Sequence, residues 1–396
     1  MDQKISKIEL DDRLSRFRSL MNKTDPDWET ALILGKVNQY YFTGTMQDGL
    51  LIIKNCEKKY YFVRRSLERA NDESEFSPIC PMDGYRDAAI IAGSDCGNSY
   101  IDTEIVTIAI FERLKKHFSF NRISSLDKII LSVRSVKTPY EIGWMEFSGK
   151  LHNELLKSTV PRLLREGMSE ADFVAELYEK MIKHGYQGVS RFSMFQTEMV
   201  VGQIGFGESS LYPTCFDGPG GAYGMCPAVP IIGSRERLLR KGDLIFVDIG
   251  FGVNGYHTDK TQVYMFGGKP SNETIKAHRA CMDIQSRLAE CLAPGRIPSE
   301  IYNSIMDCLS DDFKINFMGY GERNVKFLGH GIGLHVDELP IIANGFDQPL
   351  VENMVIALEP KKGIENIGMV GVEDTYIVKP GGGKCITGGG SDIILV

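Results

Sequence analysis

Between residues 30 and 64 the chain alternates short apolar blocks, Ala31-Leu34, Leu50-Ile53 and Tyr60-Val63, with turn-forming Gly and Asn, the pattern of successive strands. From 104 to 118 the apolar positions change to helical spacing, so the first part of the chain reads as a small mixed α/β domain, residues 1-134. A new helix then begins. Thr138 can cap it, Pro139 suits its first turn, and Ile142, Met145, Leu151 and Leu155 keep one apolar face, which sets the domain boundary just before residue 135.

The remaining residues, 135-396, predict a larger domain in which helices and strands are interspersed. Ser169 and Asp172 form a capping-box variant ahead of Phe173, Leu177, Met181 and Ile182, and Gly185 supplies the stop. Residues 211 to 230 are rich in Gly and Pro and fit neither period, which predicts a long loop beside an active-site mouth. Strands follow at Leu244-Ile249 and at 262-266, then a helix from Ser271 to Leu292 and another after Pro298. Further strands are expected around 332-336, 354-358 and 370-378. The fold class is α+β.

Composition narrows the function. With 43% hydrophobic and 24% charged residues the chain has the balance of a soluble globular protein, and 396 residues suggest two domains. A net charge of -7 without a basic stripe argues against nucleic acid as partner. The polar start, Met1 to Arg18, lacks a secretion signal, and no apolar run is long enough to span a bilayer, so a cytoplasmic protein off the membrane is expected. Nine cysteines, odd in number and never spaced as Cys-x-x-Cys, indicate reduced thiols rather than a disulfide framework or a thiolate zinc site.

The chemistry concentrates in five residues. Asp248 stands in an apolar strand, where a carboxylate is costly unless paired or bound to a cation. Asp259 follows a turn containing Gly255, and a hairpin would return both carboxylates to one end of a sheet. His330 is flanked by glycines in Leu328-Gly-His-Gly-Ile-Gly-Leu, and Glu359 and Glu373 lie in Val355-Ile-Ala-Leu-Glu-Pro and Val370-Gly-Val-Glu-Asp-Thr-Tyr. Each has a bland reading as an edge residue, a loop histidine or half of an ion pair. Together, four carboxylates and an imidazole suit a pair of divalent cations spaced about 3.5–4 Å apart.

These motifs resemble the pita-bread metallopeptidases, which include aminopeptidase P, prolidase, methionine aminopeptidase and the metal-free creatinases. The resemblance rests on Lys241-Gly-Asp-Leu-Ile-Phe-Val-Asp248, Gly255-Tyr-His-Thr-Asp259, Gly329-His330-Gly, Leu358-Glu359-Pro and Gly371-Val-Glu373-Asp-Thr; Val37-Asn-Gln-Tyr-Tyr-Phe-Thr-Gly extends it to the accessory domain. It implies a C-terminal pita-bread catalytic domain with a creatinase-type N-terminal domain, and a homodimer. It also implies that Asp248 chelates one metal, His330 and Glu359 the other, and Asp259 and Glu373 bridge them. Manganese, cobalt, zinc and iron all suit such ligands.

The sequence departs from the peptidase pattern at three places. Asp337 stands where a second histidine is usual, with His335 the nearest alternative; residues 218 to 228 contain no histidine, leaving Tyr223 as their phenolic donor; and Lys260-Thr-Gln lacks a customary arginine. Asp337, His335 and Tyr223 are therefore candidates for proton transfer or substrate bonding beside Glu359, set against bland roles at a turn or outside the site. The leading expectation is a hydrolase of short Xaa-Pro peptides in which a metal-held hydroxide attacks the carbonyl. A second is an enzyme acting on a small non-peptide substrate, like the dimethylsulfoniopropionate lyases or creatinases, with Asp337 as base. A non-catalytic binding module is the third, and intact ligands argue against it.

Overall fold

The computed structural model describes residues 4-396 apart from 195, 196 and 198, and the chain divides into two compact units, Met1–Arg134 and Ser135–Val396.

The first unit opens on a helix over Lys7–Thr24, whose first turn is closed by Ser6 Oγ accepting from Glu9 N at 3.3 Å. Leu10, Leu14, Phe17 and Met21 recur on one face of it and are buried. Six strands form one mixed sheet: β1 (Thr30–Ile33), β2 (Gly49–Lys54), β3 (Lys59–Val63), β4 (Ile79–Pro81), β5 (Asn98–Ile101) and β6 (Arg122–Ser125), in the order β4-β3-β2-β1-β5-β6. The apolar blocks predicted from the sequence are β1, β2 and β3, paired antiparallel. The helix expected across 104-118 is confined to Ile108–Leu114, begun by Thr107.

In the second unit the helix Pro139–Glu154 carries a reciprocal cap between Thr138 and Glu141, and Ser169 with Asp172 does the same for Glu170–Lys183. One sheet contains β7 (Gly202–Phe206), β8 (Leu244–Val253), β9 (Tyr256–Met265) and, far along the chain, β19 (Ile394–Leu395), in the order β19-β9-β8-β7. Between β9 and β19 come β10 (Gly319–Tyr320), β11 (Arg323–Asn324), β12 (Phe327–Gly331), β13 (Glu338–Ala343), β14 (Val355–Leu358), β15 (Lys361–Ile364), β16 (Gly368–Gly371), β17 (Asp374–Ile377) and β18 (Lys384–Cys385). Five of these make a second sheet, β13-β12-β14-β17-β18, and β15 and β16 form a separate hairpin.

The period of two along β8 divides its side chains between two environments. Ile245, Val247, Ile249 and Phe251 join the core built on Leu155, Phe173, Leu177 and Met181. Leu244 and Phe246 face the opposite way, with Val263, Met369 and Val370, and Asp248 follows them on that side. The helix Asn272–Cys291 packs Cys281, Ile284 and Leu288 against Leu328, Ile356, Leu358 and Tyr376 of the second sheet.

Two expected strands fall differently. Residues 332-336 are a bend between β12 and β13, and 370-378 is interrupted at Val372-Glu373, between β16 and β17. No helix among the described residues is long and apolar enough to cross a membrane. All nine cysteines are free thiols.

Candidate metal centre

The β8-β9 hairpin explains how two aspartates eleven residues apart meet. Asn254 (φ 49) and Gly255 (φ 90) occupy the left-handed region in the two-residue turn between Val253 and Tyr256, the backbone that a tight hairpin with the twist of its strands requires. The register then pairs Gly250 with Asp259 and Asp248 with Thr261. The side chains of Asp248, Asp259 and Thr261 share one face, and Gly250 adds none of its own beside Asp259.

The other three residues come from the second sheet and its edge. His330 on β12 pairs with Ala357 on β14, placing it one strand away from Glu359, which directly follows β14. The register of β12 against β13 shifts on both sides of His330, a bulge of the kind that re-aims a side chain. Glu373 lies where the chain leaves the ladder to bridge with Thr261 of β9. There Thr261 N donates to Glu373 O at 3.2 Å and its hydroxyl donates to Glu373 Oε2 at 3.1 Å. Thr375 ties the same edge to β9, its Oγ1 accepting from Asp259 N at 2.9 Å and donating to Asp259 O at 3.0 Å.

The structure brings all five residues into one buried cage. His330 Nε2 lies 3.5 Å from Glu359 Oε1 and 3.6 Å from Glu373 Oε1. Asp259, His330 and Glu373 each offer a ligand atom, all within 4.8 Å of one another. His330 Nδ1 is 3.1 Å from Gly331 O; a carbonyl only accepts, so that nitrogen carries the proton and Nε2 is the atom presented to the cage. Glu373 Oε1 is buried without a hydrogen-bond partner. An orphan carboxylate oxygen beside an imidazole and a second carboxylate is a donor set that fits a divalent cation.

A sixth residue, not singled out by its sequence pattern, completes the cage. Lys361 Nζ donates to Glu373 Oε2 at 2.7 Å, Asp248 Oδ2 at 2.9 Å and Glu359 Oε2 at 3.0 Å, and its side chain is fully buried. The signal was its spacing: two residues beyond Glu359, it falls on the same side of an extended segment.

These groups shift one another's protonation. Burial raises Asp248 to about 7 against the opposing pull of Lys361, with Glu373 and Glu359 adding to the rise. Asp259 is raised by burial and then by Glu373 and Asp248. Glu359 is raised by burial, opposed by Lys361. For His330 and Glu373 burial works against the charged form and the facing groups work for it. The Glu373, Glu359 and Asp259 carboxylates facing it raise His330 to about 10, favouring a proton that a bound cation would replace, and Lys361 and His330 hold Glu373 below the ordinary carboxylate range.

Of the residues proposed from the departures, Asp337 lies beside the cage. Asp337 is held by Ser193, whose N donates to Oδ1 at 2.8 Å and whose hydroxyl donates to Oδ2 at 3.1 Å; burial raises it, and the charge of His330 is close enough to oppose that rise. The extended geometry expected for 335 to 337 is absent. His335 O accepts from Gly333 N at 2.8 Å and His335 N donates to Glu338 Oε1 at 2.9 Å, which folds the segment into a bend. Tyr223 is 44% exposed, its ring edge-on to Tyr212 and its hydroxyl without a hydrogen bond among the described residues. The Gly- and Pro-rich loop does border the cage: a side chain at Gly220 would collide with Gln203 and Phe246, and the Phe246 ring lies 5.7 Å from Lys361 Nζ. Arg323 pins that loop through Phe216 O and Gly218 O.

Two buried groups behind the cage escaped the sequence pattern. Lys260 Nζ donates to Asp374 Oδ1 at 2.6 Å, beside Glu373. His257, next to Asp259 on β9, donates through Nδ1 to Gly333 O at 3.0 Å and accepts at Nε2 from Gln187 Nε2 at 2.9 Å.

The sequence model of Metallopeptidase family M24 matches residues 143–380. The chain belongs to that family. In this M24 chain the Creatinase/Prolidase N-terminal domain matches residues 13–136. A relative, the Xaa-Pro dipeptidase of Pyrococcus furiosus, is 24% identical over 378 residues, covering 95% of this chain and 97% of its own. The solved Xaa-Pro dipeptidase from Bacillus anthracis superposes with a TM-score of 0.80 at 21% identity over 98% of this chain and 100% of its own. An X-Pro aminopeptidase from Thermotoga maritima gives 0.75 at 21% identity, over 96% and 99%. M24 membership makes the chain a metallopeptidase-type hydrolase, with the creatinase-like N-terminal domain and pita-bread catalytic domain that the motifs implied.

Proposed function

We propose that this M24 hydrolase cleaves Xaa-Pro dipeptides, using a divalent cation held at Asp259, His330 and Glu373. The observation that carries the reading is the buried, partnerless Glu373 Oε1 beside His330 and Asp259; the Xaa-Pro dipeptidase relative spanning nearly the whole chain supports the substrate class. When bound, such a cation supplies Lewis-acid polarisation of a carbonyl and a water activated at neutral pH. Manganese, cobalt, zinc and iron all suit the donors.

The chain's own residues supply the rest. Glu359, its carboxyl raised by burial, borders His330 and is placed to take a proton and return it to the leaving amine. Asp337, oriented by two bonds from Ser193, is a further proton carrier near His330. Gln203 Oε1, buried without a partner on the strand position opposite Asp248, is an acceptor for a substrate N–H.

The test is release of free proline from a panel of Xaa-Pro dipeptides and tripeptides, beside betaine-like and guanidino compounds, with each of the four metals restored. Dipeptide cleavage is expected. A folded, metal-loaded protein that releases proline from none of the peptides sinks the proposal, and turnover of a small compound instead would move Asp337 to the role of base. Asp337→Asn should lower kcat by at least tenfold with metal content unchanged; equal turnover would remove Asp337 from the chemistry.

A further inference from the structure

We propose that Lys361 is a built-in cation occupying the Asp248 side of the cage, so that this chain takes one divalent ion, at Asp259, His330 and Glu373, where its carboxylates and histidine would otherwise hold two. The inference rests on the reading that the cage binds metal, and it concerns how many ions rather than which peptide.

An ammonium has three donors and no acceptor. Lys361 Nζ has three carboxylate partners from three separate segments, Asp248, Glu359 and Glu373, all between 2.7 and 3.0 Å. Each partner is itself buried, so the ammonium answers charge that would otherwise be stranded in a medium where isolated carboxylates are costly. An ion entering on the Asp248 side would compete for the same oxygens. It would displace an ammonium that is fully buried and lies 5.7 Å from the Phe246 ring.

On the other side the situation is reversed. The two oxygens of Glu373 have different tasks: Oε2 accepts from Lys361 and from Thr261, while Oε1 has no hydrogen-bond partner and lies toward His330. One half of the cage is therefore satisfied by the chain itself, and the other retains Glu373 Oε1 without a hydrogen bond beside Asp259 and His330. A β-strand spacing of two residues across Pro360 is what allows one short segment to provide both a carboxylate and its counter-charge.

The experiment is manganese stoichiometry on the full chain. Protein stripped with chelator, reloaded with excess Mn2+ and desalted is analysed by mass spectrometry of the metal, and by electron paramagnetic resonance at saturation. Wild type should carry one Mn2+ per chain and give the six-line spectrum of an isolated ion, and Lys361→Met should carry two with the exchange broadening of a close pair. Two ions per wild-type chain, or a coupled spectrum, would overturn the proposal, as would a folded Lys361→Met that still binds one. If Lys361→Met fails to fold, wild-type stoichiometry and spectrum decide alone. Wild type with no ion overturns the single-ion assignment and the metal reading together. A wild type holding one ion but inert toward every Xaa-Pro peptide defeats only the proposed substrate.

Discussion

Replacing Lys260 by Met would remove one charge of the buried pair behind the cage while keeping most of the aliphatic stem. Lys260 Nζ and Asp374 Oδ1 are 2.6 Å apart, with side chains 1% and 0% exposed. After the change Asp374 keeps one donor at Oδ1, the Thr387 hydroxyl at 2.8 Å, and loses its ion pair with Lys260. Removing one partner of a buried pair costs about 3–5 kcal/mol, because the survivor's desolvation is no longer offset. Adding Asp374→Asn removes that stranded charge, so the double variant should lose less than the sum of the two single ones, by about 2 kcal/mol or more. The chain has two tryptophans, Trp28 and Trp144, one in each compact unit, so urea unfolding followed by fluorescence in a Trp28→Phe background reports on the catalytic unit. A loss below about 1 kcal/mol for Lys260→Met, or strict additivity in the double variant, would refute the reasoning.

His257 predicts a pH dependence. Burial lowers it from 6.5 to about 4, so it folds neutral, and the unfolded chain binds the extra proton between those values. Its contribution is complete above about 6.5 and is lost as pH falls toward 4; between pH 7 and pH 5 about 2 kcal/mol should disappear. His257→Gln should flatten the unfolding free energy over that interval by a similar amount, and an unchanged slope would exclude His257 as its source. Thr375→Val strips the buried Asp259 N–H of its acceptor, costing about 1–3 kcal/mol. It should also weaken Mn2+ binding measured by calorimetry; unaltered affinity would mean Thr375 does not position Asp259.

Much of the cage was legible because its positions violate the chemistry of their surroundings. Asp248 in Val247-Asp-Ile and Glu359 after Val355-Ile-Ala-Leu are carboxylates where apolar side chains belong, and Asn254-Gly255 signals the hairpin that joins Asp248 to Asp259. Lys361 is easily passed over for the opposite reason, despite its two-residue spacing from Glu359. A lysine followed by another lysine after a proline reads as solvated surface, and only the fold reveals that three carboxylates surround it. The misplaced strand at 332-336 has a similar cause. Ile332, Leu334 and Val336 alternate with period two and are all buried, yet Gly333 O is taken by the N and Nδ1 of His257 and Gly333 N by His335 O, so the backbone bends instead of joining a ladder. Glu373 interrupts the expected strand at 370-378 for a comparable reason, because its carbonyl bonds across to Thr261. Long-range partners decide such local conformations, and period alone does not reveal them.

The decisive measurement is an anomalous difference map from crystals of the wild-type protein grown with excess Mn2+. A single peak bounded by Asp259, His330 and Glu373, with Lys361 Nζ still bonded to Asp248 and Glu359, is the expected result. Two peaks about 3.5–4 Å apart, with Lys361 turned out of the cage, would contradict it, and so would a map with no peak among these residues.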